Sequence, residues 1–385
     1  MEIVHVINSL DTGGAETVLL RLLTAGDRSE FRSHVVSLTD LGPIAGDLND
    51  LGVTTISLGL GRTGPFPNPF RALRLANIIR ATGADVVQTW MYHSNLIGGV
   101  AALLAGRRPV IWGVRQTNLD HESVPTRTAL VAKIGGRLSG RLATRIVFNS
   151  EISRQAHRAV AYADEIAQVI PNGFDTDVFR PDEGTRGSVR RELGISDDTV
   201  LVGILARYNP QKDYANFVGA AANIHRQHPD VQFVMVGLDV DQNNRGLMDL
   251  IDAAGLKGVC HLLGHRSDIP RLAAAFDVGC LSSMGEGFPN VVGEMMACGV
   301  PCAVTNVGDT ASLVGDTGRV VPPKDPEALG GALSSLIELG GPQRQQLGAL
   351  ARKRVEESFS IQSMVNAFQT VWREVADLRN PGSGP

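Results

Sequence analysis

Several things are scarce in this chain, and each scarcity narrows what it can be. Aromatic residues make up 5% of the 385 positions, and there are four cysteines, Cys260, Cys280, Cys298 and Cys302. All four lie in the second half, none forms a C-x-x-C pair and three sit in apolar runs, so they read as reduced core residues rather than disulfides or metal ligands. The opening MEIVHVINSL has no basic start; it reads as a strand, which predicts no signal peptide and a cytoplasmic location. The longest small-apolar run, 96–106, is about half a membrane span. A formal net charge of −4 argues against nucleic acid as the main partner. Glycine, by contrast, is abundant at 43 residues, beside 43% hydrophobic residues. That balance suits an α/β protein with many tight strand-to-helix turns, and the length suits two domains of roughly 180 residues each.

The first half alternates strand-like and helical stretches. Strands are expected at 3–7, 33–38, 53–58, 85–89, 110–114, 145–149 and 168–170, with helices at 17–25, 68–81 and 94–104. Such alternation predicts a parallel, doubly wound sheet whose ligand crevice lies at the carboxyl ends of the strands. Gly13-Gly14, in the turn after the first strand, would let backbone N–H groups approach a ligand or serve as a plain turn. His93, Arg115 and Asn149 fall at or just past strand ends.

Residues 107–158 carry ten Lys/Arg against three acids, Asp120, Glu122 and Glu151. Within them Lys133, Arg137, Arg141 and Arg145 recur every fourth residue, beside Leu130, Ile134, Leu138 and Leu142. A helix so patterned suits either contact with anionic lipid headgroups or an ordinary solvated face, with Gly135, Gly136 and Gly140 weakening it.

Near Val169-Ile-Pro-Asn-Gly-Phe-Asp175 a strand ends in a turn, and a polar linker is expected to about 188. The alternation then restarts, with strands at 200–206, 231–236, 259–263, 277–281, 301–305 and 319–321. The domains are therefore expected at 1–174 and 175–360, with a final helix at 361–378 and a disordered tail at 380–385.

Two stretches of the second half carry chemistry. Ala206-Arg-Tyr-Asn-Pro-Gln-Lys-Asp213 follows its first strand and precedes a helix, so Arg207 and Lys212 can converge on one anion. In SSMGEGFPNVVGEMMACGVPC, 282–302, Pro289 ends an extended path and Asn290 is expected to cap a helix beginning at Val291. Glu286 then lies in the loop and Glu294 in the first helical turn. Two carboxylates so placed can hold vicinal hydroxyls, although acids near a helix start are also ordinary dipole complements.

Glu286-Gly-Phe-Pro-Asn through Glu294, followed by Ala297-Cys-Gly-Val-Pro301, resembles the donor-sugar loop of retaining glycosyltransferases of family 4, which have the GT-B fold. The resemblance runs from about residue 1 to 375 and takes in the I-P-N-G-x-D crossing. It implies two Rossmann-like doubly wound domains facing across a cleft, the first binding acceptor and the second a nucleotide-sugar donor of UDP or GDP type, with the final helix crossing back to the first domain. It further implies that Arg207 and Lys212 clamp the diphosphate, and that Glu286 with the backbone of Gly287, Phe288, Pro289 and Asn290 holds the sugar. Glu294 would hold the ribose, Gly14 beside Gly13 would lie under the reacting phosphate, and Arg266 in Leu263-Gly-His-Arg-Ser-Asp268 would mark the nucleobase loop.

The chain departs from the family where many members carry a histidine near the anomeric carbon. Arg115 in Trp112-Gly-Val-Arg-Gln-Thr117 occupies that place, and His93 is the nearest histidine. The glutamate expected near Gly308-Asp309 is also missing. The expectation is a retaining hexosyltransferase that needs no metal or other cofactor, because its one D-x-D match, Asp239-Val-Asp241, is remote in sequence from the clamp. Its acceptor would be a glycan or polyprenyl-linked intermediate of a bacterial surface polysaccharide, met at the inner face of an anionic membrane. A GT-B epimerase or phosphorylase, or a non-catalytic sugar-binding protein, are the rival readings.

Overall fold

The computed structural model describes residues 1–59, 69–117 and 125–378. The expectations for Asp120, Glu122, the 380–385 tail and the first residue of the 68–81 helix lie outside them. Two compact units form, Met1–Gly173 with Ile361–Pro385, and Phe174–Ser360.

Unit 1 holds a parallel sheet of β1 (Glu2–Ile7), β2 (Arg32–Ser37), β3 (Thr54–Ser57), β4 (Val86–Trp90), β5 (Val110–Val114), β6 (Arg145–Phe148) and β7 (Ala167–Val169), in the order β3-β2-β1-β4-β5-β6-β7. Every residue of β4 and β5 is buried, as expected of central strands covered by helices on both faces, which therefore read as unbroken apolar runs. The helices are α1 (Gly14–Ala25), α2 (Ile44–Asp50), α3 (Pro69–Ala81), α4 (Tyr92–Leu104), α5 (Thr126–Leu142) and α6 (Glu151–Arg158). α1 starts three residues earlier than expected. α5 runs unbroken through its glycines because they admit a neighbour: a Cβ at Gly136 would collide with the Val160 carbonyl oxygen, and one at Gly135 would come within 3.2 Å of the Tyr162 hydroxyl.

The C-terminal helix, Ile361–Asp377, belongs to this unit. It buries Met364, Val365, Phe368, Val371, Trp372 and Val375, a 3.6-residue stripe, in the cluster that holds Ile3, Ile7, Leu19 and Trp90. Trp372 Nε1 donates to Gln88 Oε1 at 3.3 Å, so the indole finds a partner where it is buried. Arg373 pairs with Glu30 at 2.8 Å on the surface, which contributes far less than the buried stripe.

Unit 2 repeats the plan with β8 (Leu201–Leu205), β9 (Gln232–Val236), β10 (Cys260–Leu262), β11 (Val278–Leu281), β12 (Cys302–Thr305) and β13 (Arg319–Val321), all parallel, in the order β10-β9-β8-β11-β12-β13. Its helices are α7 (Glu183–Leu193), α8 (Tyr214–Gln227), α9 (Arg245–Ala253), α10 (Ile269–Ala273), α11 (Asn290–Ala297), α12 (Thr310–Val314), α13 (Pro326–Ile337) and α14 (Gly340–Ser358). α7 corrects the linker expected to 188. Asp182 accepts from Thr185 N at 2.9 Å to start that helix, and Gly194, at φ 69, ends it. The four cysteines are free, and burial pushes the thiols of Cys260 and Cys298 up to about 12; they are inert core residues.

In both sheets strand order reverses beside the first strand, between β1 and β4 and between β8 and β11. A crevice opens at the carboxyl ends of the strands at such a point.

Candidate active site

At the β8/β11 reversal the chain builds a polar cluster loop by loop. After β8, the Asn209 side chain accepts from Lys212 N at 3.0 Å and fixes a single 3-10 turn, Pro210–Lys212. Asp213 follows in the left-handed region, φ 47, and caps α8 by accepting from Asn216 N at 3.2 Å; aspartate tolerates that conformation better than most residues. The loop after β11 is tied to this turn. Ser282 Oγ donates to Lys212 O at 2.7 Å, Met284 N donates to Gln211 O at 2.8 Å, and Gln211 Nε2 donates to Gly285 O.

These ties carry the Lys212 ammonium to the Glu286 carboxylate, Nζ to Oε1 at 2.6 Å. Ser283 Oγ donates to the same oxygen at 2.6 Å. The side chains are 19% and 12% exposed, so desolvation offsets much of the attraction and the pair fixes geometry more than it adds stability. An ammonium has three donors and spends one here, leaving it able to face an anion while Glu286 retains lone pairs for hydroxyls.

The glycine-rich part of the loop rests on the segment after β12. Asp309 N donates to Gly287 O at 3.2 Å. Gly308, at φ 52, has no room for a side chain, since a Cβ would lie 2.5 Å from the carbonyl oxygens of Glu286 and Gly287. Thr305 Oγ1 donates to Ser283 O at 2.7 Å. Phe288 is buried, its ring 6.1 Å from Phe174 and 5.8 Å from Phe359; it anchors the loop. Pro289 is the N-cap and Asn290 the first residue of α11, so Asn290 is not the cap expected. Glu294 accordingly lies in the second turn and is buried.

Other expected residues stand apart from this cluster. Arg207, two residues past β8, is exposed and has no hydrogen-bond or ion-pair partner among the described residues. The Arg266 guanidinium is taken up by Asp268 at 2.7 and 2.8 Å and Glu192 at 2.9 Å, an arrangement that commits it to joining α7 to α10. Asp241 Oδ1 caps its own turn by accepting from Asn243 N at 2.7 Å. Among the described residues no three His, Cys, Asp or Glu side chains gather to hold a metal ion.

In unit 1 the site residues line strand ends. Gly13 is the N-cap of α1, and a Cβ there would collide with Glu16 Oε2; Gly14 is open. Glu16 went unnoticed in the sequence although G-G-x-E has the form in which a third-position glutamate reaches back over a helix start. Burial, with a smaller contribution from Asp11, raises its pKa against the lowering by its own backbone N–H. His93 lies in the first turn of α4, half-buried, and burial lowers its pKa. Arg115 is buried over the rings of Trp90 and Phe368, at 5.4 and 5.2 Å, and donates to Ile170 O at 3.0 Å and Asn172 Oδ1 at 3.1 Å. Burial lowers its pKa to about 9. Its Nε and second amino group have no hydrogen-bond partner among the described residues.

Two Rossmann-like units of this strand order define the GT-B class. Residues 12–178 match the model of Glycosyltransferase Family 4, and residues 185–354 match that of Glycosyl transferases group 1. The chain belongs to the family 4, group 1 glycosyltransferases. It is 29% identical over 246 residues to the UDP-Gal:alpha-D-GlcNAc-diphosphoundecaprenol alpha-1,3-galactosyltransferase of Escherichia coli, a match covering 63% of each protein. It is 27% identical over 321 residues to the D-inositol 3-phosphate glycosyltransferase of Geodermatophilus obscurus, covering 76% of this chain and 68% of that one. Among solved structures, Anabaena HepE in complex with UDP superposes with a TM-score of 0.84 at 23% identity, covering 97% of this chain and all of that one. WaaG, a glycosyltransferase involved in lipopolysaccharide biosynthesis, superposes with a TM-score of 0.74 at 16% identity, covering 98% and 99%.

Proposed function

We propose that the enzyme moves a sugar from a nucleoside-diphosphate sugar, of UDP type, to a phosphate-linked acceptor in bacterial surface glycan synthesis, with retention at the anomeric carbon. The observation that carries this is the Lys212–Glu286 pair at the reversal point of the unit 2 sheet. It sets a cation and a hydroxyl-binding carboxylate side by side, as a sugar joined to a diphosphate requires. Arg207, exposed and without a partner among the described residues, swings onto the same diphosphate. Glu286 and the 287–290 backbone take the sugar hydroxyls, and Glu294 takes the ribose. Unit 1, with Gly14, His93 and Arg115 at its strand ends, takes the acceptor.

The bond between the anomeric carbon and the diphosphate oxygen breaks while the acceptor oxygen bonds to the same face, and the acceptor proton passes to the departing phosphate oxygen. Lys212 and Arg207 stabilise the charge that grows on that leaving group. With positive charge supplied by side chains, no metal is needed. UDP-bound HepE and the diphosphoundecaprenol and inositol-phosphate acceptors named for the relatives support the donor and acceptor classes. The site of action is the cytoplasmic face of a membrane. The test is proton NMR of the product in the presence of excess chelator: transfer continues, and the product's anomeric coupling matches the donor's. An inverted centre would refute retention, and a chelator-sensitive rate would refute the metal-free clamp.

A further inference from the structure

Unit 2 carries a second polar feature at the end of its sheet remote from the Lys212–Glu286 pair. A cavity of about 350 Å³ opens at the amino ends of β11 and β12, walled by the start of α7 and by α14. That volume lies in the range of small-molecule pockets.

The floor of the cavity is cationic. Arg186, Arg190 and Arg344 converge on the one carboxylate of Asp277, at 2.8, 3.3 and 3.8 Å, and that carboxylate also accepts from Leu201 N at 2.8 Å. Burial and, after it, the charge of Arg186 lower the pKa of Arg190 in spite of Asp277, as crowding of cations around a single carboxylate requires. Arg344, 8% exposed, lines the cavity. One of its amino groups donates to Ile337 O at 3.1 Å; the other, 3.8 Å from Asp277, is beyond hydrogen-bond reach and has no hydrogen-bond partner among the described residues. A guanidinium so placed gains from any oxyanion that enters.

The rim has the opposite sign. Glu183 is exposed in the first turn of α7, Asp182 caps that helix, and Glu356 pairs with Arg352 at 2.8 Å. Arg352 itself is spent on the carbonyl oxygens of Ala297, Phe179 and Thr176. A plain anion would gain at the floor and lose at the rim. A ligand with an oxyanion at one end and hydroxyl groups at the other gains at both, because hydroxyls donate to carboxylates.

The cavity and the loop that carries Glu286 occupy opposite ends of the same elements. β11 starts beside Asp277 and runs into that loop; α11 begins in it at Asn290 and ends at Ala297, beside the cavity-lining Cys298. β12 follows the cavity-lining Pro301 and ends at Thr305, which holds Ser283 O. A close-packed interior yields little, so such elements carry a displacement from one end to the other.

We propose that this cavity binds a sugar phosphate, its phosphate facing Arg344 beside Arg186 and its hydroxyls toward Glu183 and Glu356, and that its occupancy alters donor affinity at the Glu286 loop. The coupling rests on the transferase reading; the site does not.

Calorimetric titration of the full chain with glucose 6-phosphate, inorganic phosphate and glucose tests the site. Glucose 6-phosphate should bind saturably, phosphate more weakly and glucose not at all. Ala349 is exposed on α14 and lines the cavity, so Ala349→Glu adds a carboxylate to the wall without touching the arginines. It should weaken glucose 6-phosphate by about tenfold or more at unchanged melting temperature, while Ala349→Lys binds at least as tightly as the parent. Arg344→Gln should weaken it similarly, and Lys212→Ala should leave it unchanged. Absence of saturable binding, or loss in Lys212→Ala with parent-like affinity in Ala349→Glu, would overturn the site. Glucose binding as tightly as its phosphate would overturn the assignment of the floor to an oxyanion. At saturating glucose 6-phosphate the affinity for UDP should change by about threefold or more, and UDP should change that for glucose 6-phosphate by the same factor. Equal UDP affinity with and without it would overturn the coupling, whereas a parent that binds glucose 6-phosphate but not UDP would refute the transferase reading instead.

Discussion

The Lys212 ammonium stands 2.6 Å from Glu286 Oε1, joining residues 74 positions apart across the β8/β11 reversal. Because Ser283 bonds the same oxygen, the outer carboxylate oxygen is the one left for substrate. On the proposed function the pair divides the work: the lysine would serve the leaving group and the glutamate the sugar.

Glu286→Gln keeps the shape but removes the acceptor for a charged donor. Transfer should fall by about 100-fold while affinity for UDP stays within about threefold. Ser283→Ala, which loses one hydrogen bond, should slow transfer by about 3- to 10-fold. Steady-state rates beside calorimetric UDP titration check both, and parent-like turnover in Glu286→Gln would return the loop to a structural role.

Gly308 tests whether the neighbouring segment shapes the site. Gly308→Ala meets both a left-handed backbone and two carbonyl oxygens at 2.5 Å, and should cost about 1–3 kcal/mol of stability and raise the KM for donor. Gly331→Ala, inside α13 with nothing within 4 Å, should instead gain about 0.5–1 kcal/mol. Urea unfolding separates the two; equal effects would contradict the steric reading.

Two buried histidines set an acid limit for unit 1. Burial lowers His5 to about 3, with His34 adding to the effect, and lowers His157 to about 4, from a usual 6.5. His157 sits between Tyr92 Oη at 2.9 Å and Ser153 O at 2.7 Å, contacts that suit a neutral ring donating from Nδ1. The unfolded chain takes up protons first as pH falls, so this stability is complete above 6.5. It is then lost at about 1.4 kcal/mol per pH unit for each ring, down to about 4 for His157 and about 3 for His5. Ring resonances of both should remain neutral by NMR at pH 5, and the urea midpoint of unit 1 should fall between pH 7 and 5. A protonated ring at pH 5 in folded protein would contradict this.

Arg115 separates stability from function. Since its guanidinium is buried without a carboxylate partner among the described residues, Arg115→Met should leave the melting temperature unchanged or higher. Transfer should nevertheless drop by about tenfold or more if the position serves the reacting groups, a charge-assisted contact being at stake. A variant as active as the parent would make Arg115 a clasp for Phe368 only.

The strands were legible because parallel strands buried on both faces are continuous apolar runs, as in β4 (VVQTW) and β5 (VIWGV). Periodicity also showed the C-terminal helix. α7 escaped because GTRGSVRREL is polar and buries only Val189 and Arg190, the latter through contacts with the distant Asp277. α5 looked weaker than it is, because the partners that its glycines admit, Val160 and Tyr162, arrive only on folding. The motifs pointed to Lys212 and Glu286 separately. Their pairing, and the Gln211 and Ser282 bonds that enforce it, span 70 to 74 residues, and no local pattern encodes contacts at that separation.

On the proposed function the loop after β8 grips a diphosphate through Lys212. Calorimetric titration of UDP and of uridine into the parent and Lys212→Ala addresses it without need of sugar or acceptor. UDP should bind the parent and lose about 10- to 100-fold in affinity in the variant, while the affinity for uridine should stay the same, because only the phosphates face the lysine. Equal UDP affinity in the two proteins would contradict the account.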